Sequence, residues 1–280
     1  MSDSVVDLVP AWLVAIAVLF LMFFAVFVGE RLRARYPAAQ DEDAATQEGY
    51  MVSGVVGLLA LLLGFTFSLA VDRFETRRTL VLEEANAIHL AYLRSQTLDE
   101  PHRTKMDGLL IKYLDNRLAL GSLAHEDDHA QLLKASHELQ DEMWQESIVA
   151  IAKQRDDVSA AYLESIGDLI ETAAARRSAR EAHVPRPIFV VILVYMIGTA
   201  LTISFAMGPR RRRAIAVMLV LTTLSYGLII DIDTPTSGAI REGQWPMEEM
   251  KVHLSRSKAP ASAANRVSPR KFAGAYLVAS

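Results

Sequence analysis

The stretch from Met51 to Val71, which has no charged side chain, constrains the fold more than any other part of the sequence. About twenty such residues suffice for a helix to cross a hydrocarbon core of roughly 30 Å. Small residues recur in it at spacings of three or four, which places them on one helix face: Ser53, Gly57, Ala60, Gly64 and Ser68. Small residues let membrane helices approach closely, because lipid gives no hydrophobic gain for their association. We predict that this face contacts another helix of the chain or the same helix of a neighbouring subunit, with the other spans packed around it.

Composition excludes several classes of protein. The chain has 280 residues, of which 51% are hydrophobic, and a formal net charge of −4, so no basic surface for nucleic acid is indicated. It has no cysteine, which excludes disulfides, thiolate catalysis and cysteine-ligated zinc. Asp3 and Asp7 precede the first apolar segment, unlike the basic start of a signal peptide, so we interpret that segment as a retained span.

Four apolar segments are predicted to be membrane spans, and the arginines between them predict the orientation. The spans are Val9–Val28, Met51–Val71, Ile188–Met207 and Ala214–Ile230. The two short connections are rich in arginine, including the run Arg210–Arg213, and such loops favour the cytoplasm. This places both termini and the long segment between the second and third spans outside. Arginines also flank that long segment, but long segments obey the charge rule poorly.

The segment 72–186 has helical periodicity throughout, and the fold class is therefore all-α. No helix breaker follows the second span, so we expect its helix to continue out of the membrane. Three further amphipathic helices are predicted, beginning near Pro101, after Ser122 and near Val158, and ending before Pro185. Four such helices fit an antiparallel bundle. The predicted domains are 1–71 with two spans, 72–186 as the bundle, 187–230 as a hairpin of two spans, 231–254 as a turn-rich interfacial segment, and 255–280 as a disordered tail.

Several runs of residues are similar to those of one bacterial family. They are Gly64–Phe74 with Arg77 and Arg78, Glu84–Ile88 with Tyr92–Arg94, and Asp231–Pro235 with Gly238. On these runs the chain, over about residues 9 to 250, resembles the bestrophin-like membrane proteins of bacteria, which are remotely similar to bestrophin anion channels. Thr234 stands where that family commonly has arginine. The resemblance implies an oligomeric channel in the bacterial cytoplasmic (inner) membrane. It also implies a cytosolic bundle, opposite to the side that the arginines predict.

Two groups of acidic residues are candidates for ion binding. Asp72, Glu75, Asp231 and Asp233 should lie at one membrane face if four spans alternate. Acids around a pore mouth attract cations and can bind calcium, but the same residues could simply cap the ends of two spans. The second group, His125–His129, matches the zinc-protease pattern H-E-x-x-H. It opens a hydrophilic helix where acids complement the helix dipole, and no third ligand is evident, so we predict no metal site.

Few other residues suggest chemistry. No ionisable residue lies inside a span, which argues against a proton-coupled transporter or pump. Glu84 and Asn86 are expected to link neighbouring helices by hydrogen bonds, with a ligand-binding role as the alternative. We predict no enzymatic activity and no cofactor. The first functional hypothesis is a homo-oligomeric passive ion channel, with the bilayer and possible ions as partners. The second is a membrane-anchored sensor or scaffold whose bundle binds a ligand or partner protein.

Overall fold

A computed structural model describes residues 11–36, 42–122, 126–153, 156–208, 211–234, 240 and 242–258. These residues form eight α-helices, and no strand occurs among them. The helices are α1 (Ala11–Arg35), α2 (Glu42–Ser95), α3 (His102–Ser122), α4 (Glu126–Ile151), α5 (Asp157–Glu181), α6 (Arg186–Met207), α7 (Arg212–Asp233) and α8 (Trp245–Lys258). The prediction of an all-α fold is confirmed.

The helix boundaries follow the signals in the sequence. Four helices are long and apolar enough to cross a membrane. They match the four predicted spans, except that Val9 and Pro10 of the first span lie outside the described residues. The second of them, α2, is a single helix of 54 residues, as the absence of any breaker predicted. A break separates α5 from α6 around Pro185, which precedes the first residue of α6. The protein is therefore an all-α, multi-pass membrane protein.

The chain divides into two compact units. The first unit comprises Met1–Leu80 with Ala173–Gly243, and the second comprises Val81–Thr172 with Gln244–Ser280. Both α2 and α5 therefore contribute residues to each unit. The predicted domain boundaries at residues 72 and 186 mark changes in hydropathy, whereas the boundaries of the units follow contacts. Helix α8 shows that residues 245 to 258 are helical, so the predicted tail begins no earlier than 259, outside the described residues.

In the first unit, α1 makes the closest helix contacts. It packs against α6 and α7, and α6 packs against α7. A Cβ atom added to Gly29 would lie 2.7 Å from the carbonyl oxygen of Leu201, and one added to Gly227 would lie 3.1 Å from the Cβ of Ala15. Glycine at these points lets the backbones approach, as membrane helices require. The expectation that the other spans pack around α2 is wrong within one chain, because the close contacts between spans join α1, α6 and α7. Val52 and Leu59 of α2 are nevertheless buried in the same apolar core.

In the second unit, polar contacts join the helices to one another. The buried carboxylate of Glu84 on α2 accepts a hydrogen bond of 2.6 Å from the hydroxyl of Tyr113 on α3. Arg117 donates to the same carboxylate, and Gln140 of α4 donates to the Tyr113 hydroxyl. The predicted linking role of Glu84 is thus confirmed, whereas Asn86 is exposed. The antiparallel order of these helices stays a prediction.

Candidate functional site

The small-residue face of α2 is uncovered in the first unit. All five residues on this open face are exposed: Ser53, Gly57, Ala60, Gly64 and Ser68. A Cβ atom built on Gly57 or Gly64 meets nothing within 4 Å. Neighbouring positions of the helix point elsewhere, since successive residues are rotated by about 100°, and Val52, Leu59 and Ala70 are buried. The sequence allowed this face to contact either another helix of the chain or the same helix of a neighbouring subunit. Among the described residues, no helix of the same chain covers Gly57 or Gly64.

Hydroxyl groups within the spans are satisfied mostly by their own helices. Thr66 donates to the carbonyl of Leu62 at 2.8 Å, and Thr202, Thr222 and Ser225 donate in the same way to the residue four positions earlier. Ser204 differs, because its hydroxyl donates to the carbonyl of Val26 on α1 at 2.7 Å. Hydroxyls bonded to their own helix in this way need no further partner in the membrane. On the open face of α2, Ser53 is bonded in the same way, since its hydroxyl donates to the carbonyl of Gly49.

The four predicted acidic residues fall into an exposed pair and a more buried pair. Asp72 and Glu75 are exposed on α2, and Glu75 lies 3.6 Å from Arg78. Asp231 accepts a hydrogen bond from the backbone of Ile240 at 3.1 Å. Asp233 is buried, and both of its carboxylate oxygens accept from the backbone amide of Val184, at 3.0 and 3.1 Å. Asp231 and Asp233 therefore bind backbone amides, whereas Asp72 and Glu75 are the more exposed pair.

A buried charge cluster near the end of α7 was not anticipated from the sequence. Arg77 is 1% exposed and donates to the carbonyl of Ile232 at 2.8 Å. Its Nε atom lies 3.2 Å from Glu242, whose other oxygen lies 3.7 Å from Arg180. The carboxylate therefore lies between arginines of α2 and α5. Glu242 follows a turn-rich segment with no periodic pattern, so nothing in the sequence singled it out.

The described part of the chain contains no cluster of metal-ligating side chains. No three histidine, aspartate or glutamate side chains there are placed to share a metal ion. His125 lies outside the described residues, and α4 begins at the next residue, Glu126. The structure therefore does not describe the complete H-E-x-x-H pattern.

Comparisons with known proteins agree with the helical arrangement. The model of the bestrophin-like domain matches residues 11–241. Crystal structures of three single-site variants of a bacterial bestrophin homologue from Klebsiella pneumoniae share the fold. For the first, the TM-score is 0.60 at 15% identity, covering 86% of this chain and 94% of that chain. For the other two, the TM-scores are 0.60 and 0.57, each at 16% identity and covering 86% of this chain and 96% of that chain.

Identities this low establish the fold alone. A comparison with curated proteins gives no match. The family model spans all four membrane helices and α3 to α5 between them, which confirms the resemblance that the sequence suggested. Because the family is related to anion channels, it supports a channel-like role in the membrane. This chain belongs to the bestrophin-like family.

Proposed function

We propose that the protein is an oligomeric passive ion channel in which copies of α2 line the pore. The observation that carries the proposal is the open face of α2, where Gly57 and Gly64 have no neighbour within 4 Å of an added Cβ atom. A repeated contact between identical subunits closes into a ring, which brings the same helix from each copy to one axis. Family membership supports the same arrangement.

Currents through the purified oligomer in planar bilayers test this proposal. Gly57→Leu and Gly64→Leu are expected to lower unitary conductance by severalfold or abolish it, because each copy would project a bulky side chain toward the axis. Gly198→Leu on α6 is the matched control, since an added Cβ atom there also meets nothing within 4 Å. Silence of the wild-type oligomer across voltages and salts, or equal effects of all three variants, would contradict the channel.

The exposed acids at the end of the second span are proposed as the mouth of this pore. Asp72 and Glu75 would form rings of negative charge in an oligomer and raise the local concentration of cations. Asp231 and Asp233 would contribute charge but few free oxygens, because both accept backbone hydrogen bonds. Removing the charges with Asp72→Asn and Glu75→Gln should move the reversal potential in a salt gradient toward that of anions. An unchanged potential would remove these residues from the conduction path.

The predicted orientation is tested by labelling from each side of the membrane. The chain has no cysteine, so single cysteines can be introduced cleanly. The side chain of Lys134 is 81% exposed on α4, and Arg35 is exposed at the end of α1. An impermeant reagent outside the cytoplasmic membrane should label Lys134→Cys and not Arg35→Cys if the bundle is extracytoplasmic. The opposite result would place the bundle in the cytosol.

A sensor or scaffold remains the second candidate, and one feature of the second unit favours it. Several apolar side chains there are exposed although they lie outside the predicted spans: Leu90 at 38%, Leu93 at 50%, Val149 at 58% and Val158 at 55%. Exposed apolar side chains that form a contiguous patch mark contact surfaces for other proteins, and we propose these four as part of such a patch. Replacing Leu93 and Val149 by serine should then abolish partner binding while leaving any bilayer current unchanged.

A further inference from the structure

The cavity of interest lies at the arginine-rich end of the spans in the first unit. Its volume is ≈ 580 Å³, and it is lined by the last turns of α1 and the first residue of α7: Phe27, Glu30, Arg31, Arg33, Ala34 and Arg212. That volume falls within the roughly 300–1,000 Å³ typical of ligand sites. The predicted first span ends at Val28, so the cavity is expected to lie at the level of the lipid headgroups.

The lining carries more positive than negative charge. Three arginines and one glutamate leave a formal charge of +2. Glu30 is already engaged, because both of its oxygens accept from Arg212, at 2.7 and 2.6 Å. Arg33 donates to the backbone carbonyls of Phe205 and Ala206, which are neutral acceptors. The charge of Arg33 is therefore not cancelled by these contacts.

Arg31 has an apolar neighbour instead of an acidic one. Its guanidinium lies 4.8 Å from the centroid of the Phe27 ring. Among the described residues, neither Arg31 nor Arg33 forms an ion pair with a carboxylate. A guanidinium presents several N–H donors in a planar fork that matches a phosphate, whereas stacking on an aromatic ring leaves those donors available at its edge. The cavity therefore offers charge and donors for an anionic group.

An exposed aromatic stripe leads from the cavity along the span. Phe27, Phe24 and Phe20 follow one another at spacings of three and four on α1, with exposures of 50%, 63% and 73%. Such a stripe suits an acyl chain lying beside the helix. A free inorganic phosphate would use the arginines and have no use for the stripe, so the combination favours an amphiphile.

We propose that this cavity binds the phosphate headgroup of an anionic phospholipid, with an acyl chain lying along the stripe of α1. Basic pockets between membrane helices are suited to anionic headgroups, and each arginine near them adds favourable electrostatic energy. Arg31 and Arg33 contact the phosphate, while the ion pair between Glu30 and Arg212 holds α1 and α7 at the spacing that the headgroup needs. Neither the channel nor the oligomer is required for this site.

The test uses the full-length protein in neutral detergent, titrated with phosphatidylglycerol, phosphatidylcholine or inorganic phosphate. Native mass spectrometry counts bound lipids, and thermal melting gives the apparent affinity. Phosphatidylglycerol is expected to bind at one saturable site per chain and to raise the melting temperature more than phosphatidylcholine. Inorganic phosphate should neither stabilise the protein at matched ionic strength nor displace the lipid. Equal binding of both lipids, or displacement by inorganic phosphate, would overturn the proposal.

Two variants and a matched control locate the site. Arg31→Gln should weaken phosphatidylglycerol binding about fivefold, the effect of one arginine near an anionic headgroup. Arg35→Gln removes an arginine about one turn further along α1 that does not line the cavity, so the affinity of this variant should stay within about twofold of wild type. Phe24→Ala leaves every charge in place and should weaken binding of the lipid by shortening its apolar contact. Equal effects of Arg31→Gln and Arg35→Gln, or no effect of Phe24→Ala, would contradict the assignment.

Discussion

Each unit contains a buried acid facing arginine, and the two clusters differ in how the acid is held. In the second unit, Arg117 lies 2.6 Å from Glu84 through Nε and donates to it at 3.0 Å through Nη2, while Tyr113 donates at 2.6 Å. In the first unit, neither oxygen of Glu242 forms a hydrogen bond of normal geometry with any described residue, although Arg77 and Arg180 lie within 3.7 Å. One carboxylate is therefore held by directed bonds, and the other by charge alone.

The difference shows that burial and geometry contribute separately to such a cluster. Removing a charge from water is costly, and good hydrogen-bond geometry is what offsets that cost. The electrostatic effects of the Glu84 cluster are visible at Tyr113 and Arg117. Burial and the charge of Glu84 raise the pKa of the Tyr113 hydroxyl, so this hydroxyl stays protonated and acts as a donor. Burial lowers the pKa of Arg117, but the charge of Glu84, the Tyr113 hydroxyl and the hydrogen bond to Glu84 together outweigh it, so the pKa is raised. We therefore expect the Glu84 cluster to link helices rigidly and the Glu242 cluster to be weaker.

The largest expected effect comes from breaking the well-bonded cluster. Arg117→Met should lower the free energy of unfolding by about 3–5 kcal/mol, because it leaves the Glu84 carboxylate buried without its cationic partner. Combining it with Glu84→Gln should recover much of the loss, which thermal or denaturant unfolding in detergent would measure as coupling. Arg103→Met, whose pair with Glu100 is 42% and 48% exposed, is the control, with an expected loss far smaller than that of Arg117→Met. Additive effects of the first two changes would refute the comparison.

The weaker cluster should give an intermediate effect. Glu242→Gln removes the charge between two arginines but breaks no hydrogen bond of normal geometry, so we expect a loss of about 2 kcal/mol. Arg78→Met serves as its control, because that side chain is 61% exposed and 3.6 Å from Glu75, and should cost only about 0.5 kcal/mol. A loss for Glu242→Gln as large as that for Arg117→Met would mean that nearby charges stabilise a buried carboxylate as much as directed hydrogen bonds do.

A third acid, Glu146, also has close charged partners, but one of them is half exposed. The contribution of Glu146 to the free energy of unfolding is expected to depend on pH. Glu146 is 7% exposed and lies 2.6 Å from His102 and 2.5 Å from Lys105, whose side chain is half exposed. Burial raises the pKa of the Glu146 carboxyl, but the bonds to His102 and Lys105 outweigh it and leave the pKa lowered. Because the folded pKa is lowered, the stability it contributes is present above the ordinary value of 4.5 and lost as pH falls through the folded pKa.

The difference in melting temperature between wild type and Glu146→Gln checks this sign. At neutral pH the variant should be less stable by about 1 kcal/mol, as expected for one partly exposed set of charged hydrogen bonds. The difference should shrink as the pH is lowered below the ordinary value for glutamate. A difference that stays unchanged even well below that value would show that the carboxylate charge contributes nothing.

The smallest effect is expected where geometry is good but burial is slight. Arg212 donates to both oxygens of Glu30, yet its side chain is 66% exposed. Arg212→Gln, measured in neutral detergent without added lipid, should lower the melting temperature less than any of the changes above, because the exposed pair is screened by solvent. Molar salt should erase even this difference, because exposed charges are screened. A loss matching that of Glu242→Gln would show that bidentate geometry can replace burial.

Much of the helical fold could be predicted because each signal is local. The second span and its continuation in α2 follow from an uncharged stretch without a breaker, and α3 begins just after Pro101 as its acidic start indicated. Glu84 could be identified as a linking residue, since a lone acid on an apolar face needs buried partners. The pairing of Arg77 with Glu242 could not be predicted, because these residues are far apart in sequence and no periodic pattern relates them.

The sequence alone determined the number of spans and the all-helical class. In the membrane every backbone group must be satisfied within its own helix, so composition over about twenty residues suffices to indicate a span. Only the tertiary structure decided which glycines pack: Gly29 meets α6 within one chain, while Gly57 and Gly64 remain open. A row of small residues shows that a helix face allows close approach, but which helix approaches it depends on the arrangement of all the others.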